Sequence, residues 1–163
     1  MALVVWASGC GQSTKLQKKV VIAPAIGDIC LVGKWTLQND VSPTGYTVHN
    51  TPVPVSGLRG ATITFQLDGT ETRDFTGSEP LVGDYQGSQL VIKISGSVQF
   101  TIHASDGNFV ESGTKTSLPT TATLGGDPID YGSTYRPGYG QYQCIAGQLT
   151  FFSGAQTDTW SRG

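Results

Sequence analysis

The segment Ala61-Thr62-Ile63-Thr64-Phe65-Gln66-Leu67 is apolar at every odd position and polar at every even one, and Asp68-Gly69 follows it directly. Successive side chains of a strand point to opposite faces, so this pattern predicts a strand with one buried face. Asp-Gly suits the left-handed positions of a tight turn, and Thr70 to Phe75 then returns as the second arm of a hairpin. An isolated hairpin is marginal in water, so the rest of the chain must supply further strands to cover the apolar face.

It does so repeatedly. Gln89 to Ile94 places Leu90, Ile92 and Ile94 on one face, and Ser95-Gly96-Ser97 turns into Val98 to Ile102, with Val98, Phe100 and Ile102 inward. Asp106-Gly107 offers another turn before Phe109-Val110-Glu111. Gln141 to Cys144, Gln148 to Phe152 and Thr157 to Arg162 follow as strands, the last with Trp160 and Arg162 on one face. Near the start, Gly33 opens a strand on which Trp35 and Leu37 share a face.

Three stretches interrupt the rhythm. Residues 40–57 carry Pro43, Pro52 and Pro54 and read as a long connection, because proline cannot donate to a ladder. Residues 77–87, with Pro80 and Gly83, read as a link. Residues 114–140 read as a loop rich in Thr, Gly and Pro that carries Tyr131, Tyr135, Arg136 and Tyr139, either functional or a simple excursion. No segment keeps a helical period. With 163 residues, 37% of them hydrophobic, the chain suits one domain with a real core. The expected fold is all-β, about eight antiparallel strands in an up-and-down barrel or a sandwich.

The three cysteines are Cys10, Cys30 and Cys144. An odd count, with two at the ends of the domain, reads as one modified cysteine plus one structural disulfide in an oxidising compartment; the alternative is three free thiols in a cytosolic protein. Met1 to Gly9 is an apolar run ending in small residues before Cys10, similar to the processing site of a bacterial lipoprotein signal. A basic region ahead of the apolar run is missing. The alternative makes Met1 to Trp6 a strand or tail with a free Cys10. The expected organisation is a signal remnant over 1–9, a lipid-anchored tether over 10–27 carrying Lys15, Lys18 and Lys19, and the barrel over 28–163. Lysines beside an anchor would be drawn to anionic lipid.

Charge and motif content exclude several functions. From residue 20 onward there are seven basic residues against twelve acidic ones, which argues against a nucleic-acid partner. His49 and His103 have no cysteine or carboxylate spaced around them for a metal, and no nucleophile motif occurs. The carboxylates Asp68, Asp74, Glu79, Asp84, Asp106 and Glu111 read mostly as turn residues. No catalytic residue, metal site or cofactor is expected.

Gly33-Lys34-Trp35 on the first strand and Arg162 on the last resemble the marks shared by lipocalins and their calycin relatives, in which the arginine packs over the tryptophan and closes one end of the barrel. The wider pattern is Cys-Leu-Val-Gly-Lys-Trp near the start, Tyr-Gln-Cys-Ile-Ala-Gly-Gln-Leu-Thr and Thr-Trp-Ser-Arg at the end, and a lipobox upstream. It is similar to secreted lipocalin-like lipoproteins of actinobacteria. The resemblance implies a barrel closed by Gly33, Trp35 and Arg162, a disulfide between Cys30 and Cys144, and a lipid on Cys10 at the outer face of the bacterial cell membrane. It also implies a small apolar or amphipathic ligand, with Ile63, Phe65, Leu67, Leu90, Ile92, Ile94, Phe100 and Ile102 as the expected lining. The alternative is a filled barrel that contacts a protein or glycan of the envelope through Tyr131, Tyr135, Arg136 and Tyr139.

Overall fold

A computed structural model describes residues 26–163. The expected signal remnant, Cys10 and the lysine cluster of the tether lie outside the described residues. Those described form fifteen strands and no helix: β1 (Gly33–Val48), β2 (Thr51–Gly57), β3 (Thr62–Phe65), β4 (Thr70–Asp74), β5 (Leu81–Tyr85), β6 (Ser88–Ile94), β7 (Ser97–Ser105), β8 (Asn108–Ser112), β9 (Thr116–Leu118), β10 (Thr120–Leu124), β11 (Asp127–Ile129), β12 (Ser133–Tyr135), β13 (Tyr139–Ile145), β14 (Gln148–Ser153) and β15 (Gln156–Arg162).

Eight of them close a ring. β1 pairs with both β15 and β3, and the circuit runs β1-β3-β4-β7-β8-β13-β14-β15 in chain order with every neighbour antiparallel. This is an up-and-down barrel, and closure removes the unpaired edges that an open sheet would expose. The other strands leave the ring and return to it. Five of them extend a wing, β11-β10-β6-β5-β2, from the second half of β1, while β9 and β12 form a separate pair.

The wing corrects four of the sequence expectations. Residues 77–87 are not a plain link but carry β5, in which Gly83 lies so close to Pro54 and Val55 that a side chain would not fit. Residues 40–57 are the continuation of β1, a His49-Asn50 turn with both residues at positive φ, and β2. Pro52 and Pro54 are accommodated because β2 meets β5 only at Val55 and Ser56, so its proline-bearing part has a neighbour on one side alone. Ser95-Gly96-Ser97 does not close a hairpin: β6 pairs with β5 and β10 in the wing, and β7 with β4 and β8 in the barrel. Residues 114–140 contain four short strands rather than one loop. Leu90, Ile92 and Ile94 are therefore buried on the wing and not in the barrel wall. Leu67 is exposed, because β3 stops at Phe65 and the chain has already entered the turn.

One end of the barrel is plugged by the segment that leads into β1. Ile26 bridges to Ala104, Gly27 N donates to the Ala104 carbonyl, and the turn at Asp28–Val32 drives Leu31 fully inside. Asp28 accepts from the Tyr142 hydroxyl. Trp35 Nε1 donates to the Leu31 carbonyl at 2.7 Å, and the Arg162 guanidinium lies 4.8 Å from the centre of the Trp35 ring. Arg162 also donates to the carbonyls of Cys30 and Val32, so the last strand holds the plug by charge over a ring and by hydrogen bonds. Cys30 is bonded to Cys144 on β13. Trp35, Ile63, Phe65, Ile102 and Leu149, each at most 1% exposed, fill this half of the barrel.

Candidate functional site

The other half is hollow. A cavity of about 430 Å³ lies in the barrel mouth, and its walls are mixed. The apolar surfaces are Leu37, Leu58, Phe75, Phe109, Phe151 and Trp160, and Tyr46, Tyr131 and Tyr135 add aromatic ones. Tyr131 stacks on Tyr46 with ring centres 6.0 Å apart, and Tyr135 packs on Phe75 at 4.7 Å. The segment carrying Tyr131, Tyr135 and Arg136 thus contributes to the cavity, whereas Tyr139 is 77% exposed on β13. None of the eight residues expected as lining borders this cavity; Ile63, Phe65, Phe100 and Ile102 are buried in barrel strands elsewhere.

Polar groups reach the cavity through strand parity. On β15, Gln156 and Asp158 follow Trp160 on the inward face. On β1 the register slips at Gln38: Leu37 opposes Trp160, Asn39 opposes Thr159 and Asp40 opposes Asp158. The extra residue of the bulge turns Asn39 outward and Asp40 inward, where it is 4% exposed. Two carboxyl groups consequently face each other across neighbouring strands. Gln156 Nε2 donates to both, at 3.3 Å to Asp40 and 3.0 Å to Asp158. Asp40 is pushed up to about 8, by burial first, then by the charge of Asp158 and the hydrogen bond between the two. At neutral pH the pair retains a proton.

A second cluster stands beside it. Glu71 and Arg73 alternate inward on β4, and Glu111 comes from β8. Arg73 donates from Nε to Glu71 at 2.5 Å and from a terminal nitrogen to Glu111, whose other oxygen accepts from Gly138 N at 2.8 Å. Burial raises Glu71 to about 7, opposed by Arg73. Among the described residues its second oxygen has no partner, and neither does the buried Trp160 Nε1. Burial also raises Tyr46 and Tyr135 above the ordinary tyrosine value, so both stay neutral donors.

Sequence reasoning missed Asp40, Ser42, Tyr46, Leu58, Glu71, Arg73, Gln156 and Asp158. Some of this was available. The Asp68-Gly69 hairpin sets Glu71 opposite Phe65 and Arg73 opposite Ile63, and the face that carries Trp160 also carries Asp158. The bulge at Gln38 left no such trace. Among the described residues no three His, Cys, Asp or Glu side chains gather as a metal site.

A testable consequence concerns Asp40. Its folded value lies above its unfolded one, so the folded state holds a proton that the unfolded chain releases, and this opposes folding increasingly as pH rises from about 4 to about 8. Asp40→Asn removes the titration and keeps a donor toward Asp158. Denaturant melts should show the variant more stable by on the order of 2 to 4 kcal/mol at pH 7, at about 1.4 kcal/mol per pH unit, with no gain at pH 3.

No protein-family model, curated protein or solved structure matches this chain.

Proposed function

We propose that this chain is a lipocalin-like lipoprotein of the actinobacterial type, anchored through Cys10 to the outer face of the cell membrane, that binds a small amphipathic ligand in the mouth of its barrel. The observation that carries the reading is the cavity of about 430 Å³, which falls in the range of small-molecule sites and combines aromatic walls with a few convergent polar groups. The plug, disulfide and arginine cap seal the far end, which leaves the mouth as the route of entry. A hollow mouth also favours a carrier over a filled-barrel interaction module. Tyr131 and Tyr135, two of the residues such a module would present, are packed on Tyr46 and Phe75.

Mass spectrometry of protein purified from its native membrane tests both parts. Denatured protein should carry diacylglycerol and acyl mass on Cys10. The gently ionised native protein should release one small molecule. Absence of the acyl mass sinks the anchor, and native protein with an empty cavity and no saturable uptake of any apolar or amphipathic probe sinks the carrier.

A further inference from the structure

We infer that the cavity selects a cation: a ligand whose ammonium group sits between Asp40 and Asp158 while an oxygen acceptor on the same ligand meets Trp160. This rests on the carrier reading above and adds the chemistry of the ligand's head.

The charges around the cavity divide into two groups. Arg73 from β4 is already engaged by Glu71 and Glu111, while Arg136, on the segment between β12 and β13, is an exposed part of the cavity wall and makes no ion pair among the described residues. Among the described residues neither Asp40 nor Asp158 makes an ion pair, and the Gln156 amide is their donor. Burial first, and the neighbouring charge of Asp158 second, push Asp40 up to about 8, so the free protein keeps a proton on the pair. A ligand ammonium replaces that proton with a fixed positive charge and sends the proton to solvent.

The surroundings suit such a group. Tyr46, Tyr131, Tyr135 and Trp160 line the cavity with aromatic rings, and a cation is attracted to the face of such a ring. An anionic ligand would face Asp158 and Glu111 with Arg73 already paired, and among the described lining residues the exposed Arg136 is the cation left to meet it. Trp160 is a wall of the same cavity, 3% exposed, and its Nε1–H has no partner among the described residues. A buried donor without a partner is costly, and a ligand hydroxyl or carbonyl relieves it. Asp158 and Trp160 are next-but-one neighbours on one face of β15, so their Cα positions are about 7 Å apart along the strand.

The test is calorimetry on the full chain with three probes between pH 6 and 9. Butyrylcholine carries a permanent cation and a carbonyl, 3,3-dimethylbutyl butyrate is its neutral carbon isostere, and octanoate is the anion. Butyrylcholine should bind at least tenfold tighter than the isostere at pH 8. Its affinity should rise up to tenfold per pH unit from 6 to about 8 and then level off, because only molecules with Asp40 ionised are competent. Heats in buffers of different ionisation enthalpy should show one proton released below pH 8. Asp40→Asn should remove both the preference over the isostere and the pH rise. Equal binding of cation and isostere, or a cation affinity flat with pH, overturns the cation site while the carrier reading stands. Failure of all three probes to bind also overturns the cation site, and the carrier reading is then decided by the native mass spectrum and the uptake of other apolar or amphipathic probes.

Discussion

Arg73→Met is expected to cost about 3 to 5 kcal/mol of folding stability at pH 8, read from urea melts. Arg73 is the counter-ion of two carboxylates, Glu71 and Glu111, whose side chains are 0% and 3% exposed, while its own retains 21% through the cavity. Methionine matches the aliphatic stem and removes the charge, so both carboxylates stay inside the barrel without their counter-ion, Glu111 keeping the Gly138 amide. Breaking a buried pair from one side is far costlier than the net worth of the pair, because the stranded charge keeps its full desolvation penalty.

The pH dependence separates this cause from lost packing. Glu71 already lies at about 7 because of burial, opposed by Arg73, and removing the arginine must raise it further. A raised carboxyl keeps its proton in the fold and releases it in the unfolded chain, so the penalty grows as pH rises and fades as pH falls. The deficit should therefore shrink between pH 8 and pH 5. A deficit constant over that interval would assign the loss to packing. Replacing the whole cluster with Glu71→Leu, Arg73→Met and Glu111→Leu should recover most of the loss, since apolar residues of similar volume are neutral or better where a buried ion cluster stood.

These clusters also mark where sequence reading succeeds and where it stops. Alternation and turn chemistry are local, and every barrel strand beyond β1 shows one or the other. Asp68-Gly69 and Asp106-Gly107 close hairpins as expected, and Ala146-Gly147 turns β13 into β14 with both residues at positive φ. Ring closure was visible too, in the Gly33-Lys34-Trp35 and Arg162 ends that prove to be paired, Trp35 opposite Arg162.

Partner choice is not local. Ser95-Gly96-Ser97 joins two alternating strands and looks like a hairpin, yet the strands on either side belong to wing and barrel. Nothing in those residues states that Ile92 pairs with Leu81 and Ala122 rather than with a residue of β7. The cavity was hidden for a related reason. Alternation assigns polar residues to solvent, which holds for a filled core and fails where a hollow barrel turns Asp40, Arg73, Glu111 and Asp158 inward. At Asp40 the difficulty is doubled, because the bulge at Gln38 reverses parity within a single strand.

The disulfide should have the second large effect. It closes a separation of 114 residues, for which the chain-entropy model gives nearly 5 kcal/mol; native disulfides of small domains typically cost 2 to 5 kcal/mol when removed. Its position adds a local consequence, because Cys30 sits in the turn whose Leu31 plugs the barrel and whose carbonyls receive Trp35 and Arg162. Without the bond to β13, that turn is held by Asp28, Arg162 and the Ala104 backbone. Cys30→Ser with Cys144→Ser should lower Tm by on the order of 10 °C, at roughly 3 °C per kcal/mol for a chain of this size. Reduction of the native protein should bring its Tm down to that of the double variant, and the double variant should not respond to reductant. In the folded variant, acrylamide should quench Trp35 emission more readily while leaving Trp160 unchanged, since only the plugged end loosens. Equal quenching gains at both tryptophans would mean that the disulfide holds the whole barrel rather than its plug.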